Sequence, residues 1–261
     1  MSTPIRRLYY KLLLTKGPIK PLARGIAHGV TGLYYFGARS GLLKPDMDCG
    51  ASVVVSHRYR FISIGVPKTA TRSIRDALIA VHDNNRDVEW REHRHAIAWA
   101  LKRFPEYYVF SFVRNPWDRI LSCYHSKIAR PSFKKRARIM AYYDGLYAGM
   151  PFEAFAQWLA TREAGQDAIA DRHWLSQYRF LYDAGDRPLC HYVGRFEDLD
   201  ADMSGIARYL GMPPVRLEKA GWVSAEWNNK DAHYRNYYND ITRAHIAQRY
   251  ATDIARFGYK F

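Results

Sequence analysis

The sequence predicts an α/β fold of three layers, a mostly parallel sheet flanked by helices, and three observations carry that prediction. A short β-branched and aromatic run that ends in a turn and passes into helical spacing begins near residue 60, and the same pattern begins again near 107. A third strand candidate with its own helix follows at 191–210. Strands that alternate with helices pair in parallel and are covered on both faces.

The first strand is Arg60 to Val66, RFISIGV, and Pro67 turns the chain. From Thr69 the spacing becomes helical, with Ile74, Leu78 and Val81 at i, i+4 and i+7. The second strand is Tyr107 to Arg114, YYVFSFVR. Asn115 is placed to cap the helix that follows, and Pro116 suits its first position because the missing N–H is one a helix start leaves unpaired anyway. Trp117, Ile120, Leu121, Tyr124 and Ile128 then mark one apolar face. The third strand, His191 to Phe196, leads into a helix from Asp200 to Leu210 that Gly211 and Pro213 terminate. A closing helix from Asp240 to Phe257 puts Ile246, Tyr250, Ile254 and Phe257 on one side.

With 261 residues, 48% of them hydrophobic, the chain is long enough for a sizeable core, which excludes a disordered tail or a disulfide-stapled miniprotein. Cys49, Cys123 and Cys190 are an odd number, far apart and without a CxxC pair, so neither a disulfide framework nor a zinc cage is expected, and a reducing compartment fits. Residues 1–45 read as a separate extension and 46–261 as one domain. The extension has no acidic residue, and Arg6, Arg7, Lys11, Lys16, Lys20, Arg24, Arg39 and Lys44 are interleaved with tyrosines. Such an arm can lie on an anionic membrane surface or pack over the domain. Lys11 interrupts the apolar stretch from Leu8 to Leu14, and no apolar run reaches the length of a membrane span. The expectation is a cytoplasmic protein, peripheral to an inner membrane, without signal peptide or transmembrane helix.

A net charge of +15 points to an anionic partner, and two turns offer sites for one. The first is Pro67-Lys68-Thr69-Ala70-Thr71-Arg72-Ser73. A helix start exposes unpaired N–H groups and the positive end of its dipole, and here two cations and three hydroxyls are added. A nucleotide triphosphatase P-loop needs a glycine before its lysine, where this chain has Pro67, so Walker-type ATP binding is disfavoured. The second turn carries Arg114 at a strand end and Ser122 on the helix after it, with Arg119 on the face of Ser122. Ligands of open parallel sheets sit beyond the carboxyl ends of the strands, so two such corners side by side make one bipartite pocket for a ligand with two phosphate-like groups.

These residues resemble the sulfotransferases, and more closely their carbohydrate-sulfotransferase branch. The resemblance runs through PKTATRS (Pro67 to Ser73), FVRNPWDRILSCY (Phe112 to Tyr124), DRHWLSQYRFL (Asp171 to Leu181), VGRFEDL (Val193 to Leu199) and the tail ARFGYKF (Ala255 to Phe261). It implies a fold related to the P-loop nucleotide kinases and 3′-phosphoadenosine 5′-phosphosulfate as the sulfuryl donor, consumed as a cosubstrate. It assigns Lys68, Thr69, Ala70, Thr71, Arg72 and Ser73 to the 5′-phosphosulfate, and Arg114 with Ser122 to the 3′-phosphate. Sulfuryl transfer builds charge on the departing phosphate oxygen, and the Lys68 ammonium is placed to stabilise it. No metal is required, because the cations and helix amides already supply positive charge.

The acceptor expected is a hydroxyl on a carbohydrate or glycolipid, and its proton needs a base. His93 and His95 stand together in REHRHAIAWALKRF, and the resemblance favours His95 there, with Glu92 as a possible substitute. His173, Trp174 and Gln177 are candidates for lining the acceptor side, His173 and Trp174 alternatively for covering the donor, although packing is the favoured reading for Trp174, and Ser176 stands where relatives often have proline. Glu197 reads as a structural ion pair or helix cap. The basic run from Lys127 to Arg138 can attract an anionic polysaccharide, an acidic lipid headgroup or a bilayer, or remain a solvated face. Nucleic acid fits poorly because no binding module is recognisable. The rival readings are a nucleotide-dependent kinase of related fold and a non-enzymatic basic protein that binds membrane or nucleic acid.

Overall fold

The computed structural model of the chain describes residues 50–261 apart from 94, 130–142, 144, 148, 163–164, 169 and 218–233. The extension over 1–45 and most of the basic run after Lys127 therefore lie outside the described residues.

Five strands form one sheet: β1 (Ser52–Ser56), β2 (Phe61–Gly65), β3 (Val88–Glu92), β4 (Tyr108–Val113) and β5 (Tyr192–Arg195), in the order β3-β1-β2-β4-β5. β2, β4 and β5 are mutually parallel, whereas β1 runs antiparallel to both β2 and β3. The sheet is thus mixed rather than mostly parallel. The cause is local: only residues 57–60 separate β1 from β2, and so short a connection joins only antiparallel neighbours. Sequence periodicity starts the first strand at Arg60 and leaves the SVVVS of β1 unassigned.

Among the described residues the helices are α1 (Thr71–Ala80), α2 (Ala96–Arg103), α3 (Pro116–Lys127), α4 (Phe152–Thr161), α5 (Tyr178–Leu181), α6 (Leu199–Tyr209), α7 (Asp240–Arg249) and α8 (Ala251–Phe257). The single closing helix expected from the sequence is two, with Tyr250 leaving helical geometry between them at φ −113° and ψ 26°. Among the described residues no helix is long and apolar enough to cross a membrane.

Strand alternation sorts the core. Val53, Val55, Ile62 and Ile64 face the layer of α2 and α5, while Val54, Phe61, Phe110 and Phe112 face α1 and α6. A helical subcore gathers Trp117, Ile120 and Leu121 of α3 with Phe155 and Trp158 of α4 and Ile246 of α7. Ser52 pairs with Gly65 on one side and Glu92 on the other, so the carboxyl ends of β2 and β3 share one edge of the sheet with that of β4.

Candidate active site

β2 ends at Gly65, where a Cβ would lie 2.5 Å from the Thr71 methyl and 3.1 Å from the Ser52 carbonyl, so only glycine lets the turn fold back this closely. Lys68 and Ala70 then adopt left-handed backbone, at φ 78° and 59°. Non-glycine residues take such angles at a cost of about 1–3 kcal/mol each and persist where their surroundings fix them. Thr69 and Thr71 do the fixing: both hydroxyls donate to the Val66 carbonyl, at 2.8 and 2.5 Å. Those two hydroxyls therefore shape the turn from within, while α1 begins without a side-chain cap. Among the described residues nothing accepts a hydrogen bond from the backbone N–H groups of Lys68 to Ser73. Left-handed and right-handed residues in succession aim such N–H groups into one concavity, an arrangement that binds anions.

The second turn meets the first. Arg114 Nη1 donates to the Lys68 carbonyl at 3.3 Å, Lys68 Nζ donates to Ser126 Oγ at 2.8 Å, and Arg119 Nε donates to the Pro67 carbonyl at 3.0 Å. Asn115 caps α3 as the sequence leads one to expect, its side chain accepting from the Trp117 N–H at 3.1 Å behind Pro116. Arg119, Ser122 and Ser126 then share the face of α3 turned toward the first turn, and Ser122 is buried between the two residues that bond it. Ser73 is buried in the first turn of α1.

Arg114 is held on every side. Its guanidinium makes a two-pronged pair with Asp118, both bonds at 2.8 Å, and stacks 4.0 Å from the centre of the Phe196 ring. Gln177 accepts from the Arg114 N–H through Oε1 and donates to its carbonyl through Nε2, both at 2.9 Å. Gln177 is fully buried, so its amide is spent on positioning Arg114 and does not line an open acceptor surface. Its own N–H and that of Tyr178 donate to Asp253, at 2.8 and 2.9 Å. Burial pushes the Asp253 carboxyl up to about 6. Trp174 is likewise fully buried, packed edge-on to Tyr143 and Trp158. Glu197 accepts from the Asn115 N–H at 2.7 Å and from the Tyr259 hydroxyl, which ties the chain end to the start of α3.

Burial lowers the Lys68 ammonium to about 8; the Cys123 thiol opposes the shift, and the charges of Arg114, Lys127 and Arg72 add to it. An ammonium crowded by like charges is held in want of an anion. Arg72 itself is exposed at the mouth of the turn.

The histidines collect at the same sheet edge. His93 and His95 follow β3 and open α2. Both are exposed, and His93 Nδ1 accepts from the His95 N–H at 3.1 Å. The Glu92 and Gly65 backbones are two strand spacings apart, about 10 Å. Arg172 pins the 171–173 segment to that edge by pairing with Glu92 at 2.6 Å and donating to the Gly50 carbonyl at 2.7 Å. Next to it Asp171 Oδ1 bonds His173 Nδ1 at 2.5 Å and also accepts the His173 backbone N–H. Burial alone would raise Asp171, but its contacts with His173 outweigh it and bring the carboxyl down to about 2. Burial lowers His173 against the opposing pull of Asp171, helped by the charge of Lys127. A carboxylate on Nδ1 leaves Nε2 as the ring position for exchange with a ligand.

A family model described as the sulfotransferase family matches residues 51–260, which takes in both turns, the histidine pair and the tail. The chain belongs to the sulfotransferase family. Its curated relatives include carbohydrate sulfotransferase 14 of Mus musculus, 27% identical over 234 residues that make up 79% of this chain and 60% of the relative. Carbohydrate sulfotransferase 11 of Rattus norvegicus is 25% identical over 60% of this chain and 48% of its own length. Carbohydrate sulfotransferase 12 of Mus musculus is 25% identical over 65% of this chain and 44% of its own. The chain thus spans 44–60% of the length of these curated sulfotransferases. No solved structure matches it.

In this member of the sulfotransferase family the side chains that sequence reasoning leaves out are mostly second partners. Ser126 receives Lys68, Asp118 pairs with Arg114, and Asp171 orients His173. Ser126 was readable in principle, since it lies four residues beyond Ser122 on the same helical face.

Proposed function

We propose that the chain transfers a sulfuryl group from 3′-phosphoadenosine 5′-phosphosulfate to a hydroxyl of a carbohydrate. The observation that carries this reading is the direct contact of the two anion-binding corners: Arg114 reaches the Lys68 carbonyl, and Lys68 reaches Ser126 on the helix that Arg114 precedes. A donor with one anionic group at each end of its ribose suits two corners in contact. The amides of residues 68–73, with Lys68 and Arg72, hold the 5′-phosphosulfate, and Arg114 with Ser122 holds the 3′-phosphate. Family membership supports the sulfuryl chemistry, and relatives named carbohydrate sulfotransferases support a sugar hydroxyl as acceptor.

The step is an in-line displacement. The acceptor oxygen forms a bond to sulfur as the bond from sulfur to the 5′-phosphate oxygen breaks, the bisphosphate leaves with the electron pair, and the acceptor proton passes to a base. Lys68 Nζ neutralises the charge that grows on the leaving oxygen. His95 is the base, with His93 beside it as substitute. A second reading, favoured by the Asp171 bond that fixes its ring, gives the proton to His173. Titration with adenosine 3′,5′-bisphosphate and with ATP plus magnesium tests the donor class. Micromolar or tighter binding of the bisphosphate alone is expected, whereas preference for ATP with magnesium points to a kinase and binding of neither to a non-enzymatic protein.

A further inference from the structure

Arg119 is a buried charge that the mechanism above does not use. Its side chain is fully buried in α3. Nε donates to the Pro67 carbonyl, while Nη1 and Nη2 are buried without a hydrogen-bond partner. The carboxylate that acts on it, Asp253, is committed elsewhere, accepting from the Gln177 and Tyr178 amides. Burial pushes its guanidinium below the ordinary value, opposed by Tyr250 and Asp253.

A buried cation without a full counter-charge is costly, and replacing such a group by an apolar side chain of similar volume is often neutral or stabilising. The place of this one is informative. It bonds the residue immediately before Lys68, at the start of the turn whose N–H groups have no acceptor among the described residues.

We propose that Arg119 is a positioning residue that forms the floor of the first anion site. It fixes the Pro67 carbonyl and so the left-handed Lys68 turn, and its counter-charge is the anion bound above it. This rests on the donor reading above and adds that the ligand-free protein carries an unmatched charge under the site. Interaction with a bound anion at an effective dielectric near 20 is worth about tenfold or more in affinity.

The test is calorimetric titration of the full chain with adenosine 3′,5′-bisphosphate, alongside the melting temperature without ligand. For Arg119→Met the expected result is an unchanged or higher melting temperature with affinity at least tenfold weaker. A lower melting temperature with affinity within twofold of wild type makes Arg119 a packing residue and overturns the proposal. Should Arg119→Met not fold, Arg119→Lys and Arg119→Gln are compared: binding at least tenfold tighter in the lysine variant upholds the proposal, and equal binding overturns it. If the wild type does not bind the bisphosphate, the donor reading falls and takes this inference with it; if the wild type binds and Arg119→Met binds equally, only the inference falls.

Discussion

Arg114 Nη1 lies 3.3 Å from the carbonyl oxygen of Lys68, a residue 46 positions earlier in the chain. Through that bond the end of β4 supports the left-handed turn at the end of β2 from below, while Lys68 crosses in the other direction to Ser126. Two corners that parallel strands bring to the same edge are thereby locked into one unit.

Arg114→Ala therefore removes both a ligand group and a strut. Hydrogen bonds to charged groups contribute about 1.5–3 kcal/mol each, so affinity for adenosine 3′,5′-bisphosphate is expected to fall at least tenfold, with the remaining binding resting on the first turn. Direct titration checks this, and unchanged affinity would remove the 3′-phosphate assignment.

Gln177 acts on the same site at one remove. Its amide closes on both backbone groups of Arg114, and Gln177→Ala leaves a buried donor and acceptor unpaired at about 1–3 kcal/mol each. The expected outcome is a melting temperature lower by several degrees and a weaker bisphosphate complex. Gln177→Glu keeps the acceptor for the Arg114 N–H but sets a carboxylate against the Arg114 carbonyl, and it is expected to be no better. Thermal melts with and without bisphosphate measure both effects.

What was legible beforehand were features written in consecutive residues. Asn115 and Pro116 announce the start of α3, and the runs from Arg60 and Tyr107 announce β2 and β4, because caps and periodicity are local. The antiparallel β1 escaped because SVVVS, flanked by no helical pattern, gives no period to set it apart from the strand it precedes. The role of Gln177 escaped for another reason, whereas the packing favoured for Trp174 is what its full burial shows. A polar side chain beside a motif looks the same in sequence whether it faces a ligand or an Arg114 backbone 63 residues away. The break at Tyr250 is likewise tertiary, since its buried hydroxyl donates to the Trp174 carbonyl. The contact between the corners was inferable only from the rule that strand ends share an edge, and its atoms were not.

Lys68 sets a pH dependence. With its ammonium lowered to about 8 by burial and neighbouring cations, the free protein loses that charge as pH rises through about 8, and a bound anion raises the value again. Bisphosphate affinity is expected to be flat below about pH 7 and to decline above 8, with proton uptake on binding that appears only on the alkaline side. Calorimetry in buffers of different ionisation enthalpy measures the uptake. Lys68→Arg, which stays charged, is expected to abolish the alkaline decline, and Lys68→Ala to depress turnover strongly.

The identity of the base is decided by comparing His95→Ala, His173→Ala and Asp171→Asn in turnover and in bisphosphate binding. General-base catalysis contributes about 10²- to 10⁴-fold, so the variant lacking the base is expected to lose that much turnover while binding the bisphosphate normally. If His95 is the base, Asp171→Asn leaves turnover within a few-fold, because among the described residues the Asp171 side chain bonds only the His173 ring and backbone N–H. If His173 is the base, Asp171→Asn follows His173→Ala downward. Asp171 draws His173 toward the charged form, so its removal then also moves the acid limb of the pH–rate profile to lower pH. A profile that responds to Asp171→Asn in this way, with His95→Ala unimpaired, transfers the role from the exposed histidine to the one held by a carboxylate.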